Sequence, residues 1–183
     1  LTLNGSKIDG KTSLSGSDIK GHLSCTQAVL RNAEGSAFKA QGMKVVSSVL
    51  LEGTTATGQV SLLGAQIGGQ LVAIGAAFHN PQGHAFNAQS TRVRGDAFLR
   101  YAQAEGEVSF MGAEISGVLD CSHATLRNPE ADAFNAQRLV VREGFIWRRL
   151  RDVAGAVDLT SAHVGDLWDD PESWALCEKL FLS

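Results

Sequence analysis

"AVLRNAEGSAFKAQ" (28–41), "AAFHNPQGHAFNAQ" (76–89) and "ATLRNPEADAFNAQ" (124–137) share one frame: a bend centred on Asn, followed by Phe-x-Ala-Gln. Their starts, at 28, 76 and 124, are separated by two equal steps of 48. The same step links Gly10, Gly58, Gly106 and, at 49, Gly155. A half-period lies inside it. Leu14, Phe38, Leu62, Phe86, Phe110, Phe134 and Leu159 follow each other in steps of 24, the last of 25. Gly16, Ala40, Gly64, Ala88, Gly112, Ala136 and Ser161 form a register of small residues, and Ile19, Met43, Ile67, Thr91, Ile115, Leu139 and Val164 form a third.

A fixed period near 24 is the mark of a solenoid, in which each repeat contacts only its neighbours. Helix–turn–helix repeats need more than about 30 residues. Apolar positions come two or five residues apart, as in Val60, Leu62 and Ile67, and not at a three-four spacing. Gly, Asn, Ser and Thr, all poor in helix interiors, interrupt every candidate helix. Short strands joined by bends fit better. The reading is an all-β parallel β-helix, a solenoid of about seven coils over residues 1–168, with about 24 residues per coil. Each coil would rise about 4.8 Å, which places Phe86 and Leu62 inward and about 5 Å apart on adjacent coils. Asn32, Asn80 and Asn128 suit bends because they tolerate left-handed backbone. Pro81 and Pro129 cannot sit in a central strand.

The units Val60-x-Leu62, Ala65-x-Ile67 and Ala76-x-Phe78 place a small or apolar residue two before a large apolar one. This resembles the pentapeptide-repeat proteins over about residues 10–165. The resemblance implies a right-handed, four-sided β-helix of five-residue faces, with the surplus residues falling at bends such as "HNPQG". "GAQIGGQL" (64–71) is also similar to a group of uncharacterised bacterial proteins with glycine-rich repeats, a likeness that implies no activity. Some pentapeptide-repeat proteins mimic DNA and act on topoisomerases. Mimicry of that kind needs a strongly acidic rod, whereas this chain carries a net charge of −3.

Both ends are informative. "DDPESWALCEKLFLS" reads as a cap over 169–183, with a helix at 171–181 started by Asp170 as N-cap and Pro171 at the first position. At the other end Leu1–Leu3 match inward strand residues with no preceding coil, which predicts missing coils or self-association through residues 1–25. The mild net charge gives no footprint for nucleic acid. No stretch reaches the roughly 18 apolar residues of a membrane span. Three cysteines without a CxxC motif form no disulfide or zinc framework and suit a cytoplasmic protein. Cys25 and Cys121, four coils apart, would lie about 19 Å from each other.

His79 and His84 flank "NPQG", but their equivalents are Arg31, Arg127, Ser36 and Asp132, so no ligand type persists and a solvated turn is expected. His22, His123 and His163 show no metal-binding frame. Glu105, Glu107, Asp120, Glu130 and Asp132 are scattered, unlike the convergent acids of a carbohydrate-active β-helix enzyme. No catalytic residue, metal or cofactor is assigned. One local concentration of charge stands out. Arg142, Arg148, Arg149 and Arg151, with Trp147, form a candidate patch for an anionic partner, or pair with Asp152, Asp158, Asp166, Asp169 and Asp170 nearby. The expected function is a non-enzymatic scaffold or binding module for a macromolecular partner, most simply a protein.

Overall fold

The computed structural model describes residues 1–182 and is a parallel β-solenoid. Each coil has four short sides. Side 1 and side 2 share one sheet, whose long members are Val29–Lys39, Ala77–Asn87 and Thr125–Asn135. Sides 3 and 4 are two-residue strands for most of the rod, such as Gln66–Ile67 and Leu71–Val72. They merge in Val140–Trp147, which runs along both. Every pairing is parallel and joins neighbouring coils. The first sheet climbs through eight rungs, from Lys7–Asp9 to Lys179–Phe181.

The register differs from an even 24. On side 2, Phe38 pairs with Val60, Val60 with Phe86, Phe86 with Val108, Val108 with Phe134 and Phe134 with Val157. Subtraction gives steps of 22, 26, 22, 26 and 23. Short and long coils alternate, and only their sum is 48. Leu62 is therefore not the partner of Phe86, although both are inward and fully buried. The amide of Leu62 bonds the carbonyl of Asn87, which sets Leu62 beside Ala88. On side 3 the inward column is likewise Ile19, Val45, Ile67, Val93, Ile115, Val141 and Val164. Thr91 lies in the corner before it, buried, with its hydroxyl on the Leu62 carbonyl at 2.8 Å.

Packing explains the alternation. Long coils read Phe38-x-Ala40, Phe86-x-Ala88 and Phe134-x-Ala136, whereas short coils read Val60-x-Leu62 and Val108-x-Phe110. Bulk shifts by two residues from coil to coil, so that each large side chain lies over a small one in the next layer. That is how an interior fills at native density with staggered layers. The rings of Phe86 and Phe110 lie 6.0 Å apart, and those of Phe110 and Phe134 lie 6.1 Å apart. Trp147 continues the stack at 5.2 Å from Phe134, and Trp174 ends it 5.4 Å beyond.

The four extra residues of a long coil make the Asn bend between sides 1 and 2. Asn80 Nδ2 donates to the His84 carbonyl at 2.8 Å, and Asn32 and Asn128 repeat the bond to Ser36 and Asp132. The adjoining short coil turns the same corner with one glycine. Gly106 has φ of 112°, and a Cβ there would overlap the Asn80 carbonyl oxygen and stand 2.6 Å from that of Gly83. Gly58 and Gly155 fit the other two bends in the same way. Three members of the 48-step glycine series are therefore there because a bend of the preceding coil lies against them; at Gly10 a Cβ would meet nothing within 4 Å, and its φ of 101° alone favours glycine.

The C-terminal reading needs correction. The helix is Pro171–Ala175, capped by Asp170 through Ser173 N at 2.7 Å, as its local chemistry predicts. It ends early because Lys179–Phe181 return to the sheet, pairing with Ala156–Asp158. Trp174 packs on Trp147, but Leu167, Trp168, Leu180 and Phe181 stay between 39% and 46% exposed, so the segment covers only part of the last coil. At the opposite end Leu1 is exposed and Leu3, Ile8 and Leu14 are half-buried. No helix among the described residues is long and apolar enough to cross a membrane.

Candidate functional surfaces

The arginine-rich stretch 142–151 spreads over two edges of the rod. Arg142 leaves the end of side 3, in the same outward column as Lys20, Val46 and Arg94. Arg148, Arg149 and Arg151 lie past side 4, at the corner leading back to side 1. All four arginines are exposed, whereas Trp147 is fully buried in the aromatic stack. Trp147 therefore belongs to the core and not to a partner patch. This coil has gained one residue at the corner, because Leu126 pairs with Val153 across a step of 27.

Of the five nearby acids, Asp166 is exposed and its carboxylate has no hydrogen bond or ion pair among the described residues, and the other four are engaged by other groups or by main chain. Asp152 holds Arg127 at 2.6 Å, and Asp158 accepts Gln137 Nε2 at 2.6 Å. Asp169 accepts the Trp174 indole at 2.6 Å. Asp170 accepts the amides of Ser173 and Arg149; the Ser173 hydroxyl foremost, then these amides and the Arg149 charge, hold its carboxyl below the usual range. No ion pair among the described residues includes Arg142, Arg148, Arg149 or Arg151.

At the same corner Tyr101 and His123 stack on successive rungs, with centroids 4.7 Å apart and planes at 7°. The Arg151 guanidinium lies 5.4 Å from the Tyr101 ring. Tyr101, His123 and Arg149 all have positive φ, between 53° and 60°, where earlier coils place Gly53 and Gly75. A non-glycine residue there costs about 1 kcal/mol or more.

Side 4 has an unusual outer surface. Outward residues of a solenoid side are expected to be polar, and this column begins so with Thr2 and Ser24, yet from there it runs Leu50, Val72, Phe98, Asp120, Ile146, Trp168, apolar except at Asp120. Leu50, Val72, Phe98 and Ile146 are half-buried and Trp168 is 43% exposed. The Trp168 ring occupies the space left by the missing side chain of Gly144. One flank carries Glu52, Ile74, Arg100, Ser122 and Arg148, and the other carries Gln70, Asp96, Val118, Gly144 and Asp166. The Arg100 guanidinium caps the Phe98 ring at 5.2 Å and pairs with Asp120 at 3.6 Å. Each of these residues is visible in the sequence. The signal that could have found the column is the cross-coil register, which alternates 22 and 26.

The histidines beside "NPQG" pair with acids of the next coil. His79 Nδ1 lies 2.6 Å from Glu105, and His84 Nδ1 lies 3.2 Å from Glu107 without hydrogen-bond alignment. The Glu107 carboxylate raises the His84 pKa against an opposing desolvation. Asp132, one rung on, is pushed up by desolvation and by the charges of Glu107 and Asp158. No group of three His, Cys, Asp or Glu among the described residues has the geometry to hold a metal ion. Glu105, Glu107 and Asp120 thus serve cross-coil pairs. On side 3 a shallow groove of about 400 Å³ is lined by Lys20, Lys44, Arg92 and Arg94 with Asp18.

The cysteines are free. Cys25 and Cys121 share an inward corner column with Leu51, Ala73 and Leu99, four rungs apart as the repeat implied. Burial pushes the Cys25 and Cys177 thiols up to about 11 and Cys121 well above its ordinary value. No protein-family model matches the chain, and no curated protein matches it.

Proposed function

We propose that the protein is a non-enzymatic β-solenoid binding module whose partner, a protein, docks along side 4. The observation that carries this reading is the outward apolar column Leu50, Val72, Phe98, Ile146 and Trp168, with its arginine flank. The column is half-buried up to Trp168, which is exposed, and Asp120 divides it; apolar outer surface rimmed by polar groups in this way marks interaction sites. Arginines beside aromatic residues are the usual anchors of such sites. Four short sides per coil, each with one inward residue at its centre, support kinship with the pentapeptide-repeat proteins. The unpaired Arg148, Arg149 and Arg151 do not suit a DNA mimic, whose surface must be acidic.

The test is selection from a displayed library of random peptides long enough to span the column. Binders to the native chain are counter-selected on the Val72→Asp/Ile146→Asp variant, with thermal unfolding confirming that this variant is folded. Sequences enriched on the native chain alone uphold the reading. Equal enrichment on both, or none, overturns it.

A further inference from the structure

The docking reading leaves the form of the partner open, and the geometry points to an amphipathic α-helix, acidic on the side that faces Arg148, Arg149 and Arg151, lying along the rod axis on side 4. This inference rests on side 4 being the docking face.

The main-chain groups of side 4 are already used. Its strands pair with the coils above and below, for example Leu71–Val72 with Val49–Leu50 and with Ala97–Phe98. A partner therefore cannot add a strand to this face and must dock through side chains. The apolar stretch of the column, broken only by Asp120, runs over six rungs, from Leu50 to Trp168. At about 4.8 Å per rung its length is about 24 Å, which matches about 16 residues of helix at about 1.5 Å each. A helix repeats one face every ~5.4 Å, close to the rung spacing, whereas an extended strand repeats one every ~6.6 Å. Orientation follows from strand length. Side 4 strands such as Val49–Leu50 and Ala97–Phe98 are only two residues long. A helix aligned with them would cover about 7 Å of surface and leave the column open.

Charge sets the composition. Arg100 and Arg148 stand two rungs apart on one flank, with Arg149 and Arg151 at the adjoining corner. Asp120 is satisfied by Arg100 and the Ser122 amide, and Asp96 by Gln70 and the Val118 amide. The corner beside Ile146 holds Arg148, Arg149 and Arg151 outside any ion pair among the described residues, whereas the exposed acids Glu52 and Asp166 stand further along on the two flanks, so the helix carries Glu or Asp only on the side that faces the arginine corner.

The probe is a labelled synthetic peptide of about 18 residues, with leucine at every third or fourth position, glutamate on the flank that faces Arg148 and Arg151 and glutamine on the other. A control has the same composition with leucines at alternate positions, and a second control has lysine in place of glutamate. Fluorescence polarisation is read against the native chain. The glutamate helix is expected to bind at least tenfold more tightly than either control and to gain helical circular dichroism on binding. Val72→Asp/Ile146→Asp is expected to cost at least tenfold. Arg148→Glu/Arg151→Glu is expected to reverse the preference toward the lysine peptide. Equal binding of the alternate-leucine control, or insensitivity to the side 4 substitutions, overturns the helix. So does a dimer in sedimentation that Ile146→Asp dissociates, or stronger binding to phosphatidylglycerol vesicles. Library selection separates the two levels. Extended sequences that depend on side 4 overturn the helix but not the docking face, and no dependent sequence overturns both.

Discussion

Gly106→Ala places one methyl group against the Asn80–Gly83 bend of the preceding coil. The backbone there has φ of 112°. Left-handed backbone costs a non-glycine residue about 1–2 kcal/mol, and this φ lies outside the favoured left-handed well. The new Cβ would also overlap the Asn80 carbonyl oxygen, so the bend must shift and strain the Asn80–His84 bond. A hydrogen bond contributes about 1 kcal/mol net. The combined loss is about 3 kcal/mol, a fall in Tm of about 6–12 °C for a chain of this size. Thermal and urea unfolding followed by circular dichroism give the number. Gly75→Ala is the first control: with φ of 62° and nothing within 4 Å of a new Cβ, it should lose only about 1 kcal/mol. The second control removes residues 80–83 and changes His84→Gly, which converts the long coil into a copy of the short one. In that background Gly106→Ala should regain about 1 kcal/mol or more, a coupling that a double-mutant cycle isolates. Equal losses in both backgrounds would refute the nested-bend account.

Phe86→Ala should cost about 3–5 kcal/mol in urea unfolding, because a fully buried ring between Val60 and Val108 leaves a cavity. Trp147→Ala should cost a similar amount, whereas Trp147→Phe should cost under about 1 kcal/mol because the buried indole N–H has no acceptor. A raised folded pKa means that His84 stabilises the fold below its unfolded pKa and that this contribution fades as pH rises through the folded value. Proton NMR titration should therefore show the His84 pKa dropping in Glu107→Gln. Asp132 is also raised, so its ionisation works against folding at neutral pH; Asp132→Asn should raise Tm at pH 7 and leave it unchanged at pH 3. Cys25, Cys121 and Cys177 should resist a thiol reagent at pH 7 until the chain unfolds, and neither chelator nor reductant should lower Tm.

The residues Phe38, Phe86 and Phe134 show how much of the fold could be read directly. Their regular spacing, in steps of 48, and the Asn bends before them announced a solenoid and located its surplus residues. The half-period misled, because matching large residues with large ones equates Leu62 with Phe86. Backbone pairing does not match by size. It counts residues, and four of them sit in every second bend, so Phe86 meets Val60 and Val108. The helix start at Asp170–Pro171 was legible because capping is local, within three residues. Its end was not, since Lys179–Phe181 leave the helix for partners more than 20 positions back.

The candidate surface divides in the same way. Arg148, Arg149 and Arg151 were legible as a cluster of charge, but Trp147 shares their stretch and points into the core. Neighbours in a strand alternate between faces. Leu50, Val72, Phe98, Ile146 and Trp168 follow each other in steps of 22, 26, 48 and 22, and in sequence each looks like one more core residue. The sequence by itself determined the repeat, the strand character, the bends and the helix cap, because these depend on neighbours along the chain. Only the tertiary structure decided which residues share a rung and which face outward, because strand register is set by hydrogen bonds between coils and moves every side chain with it.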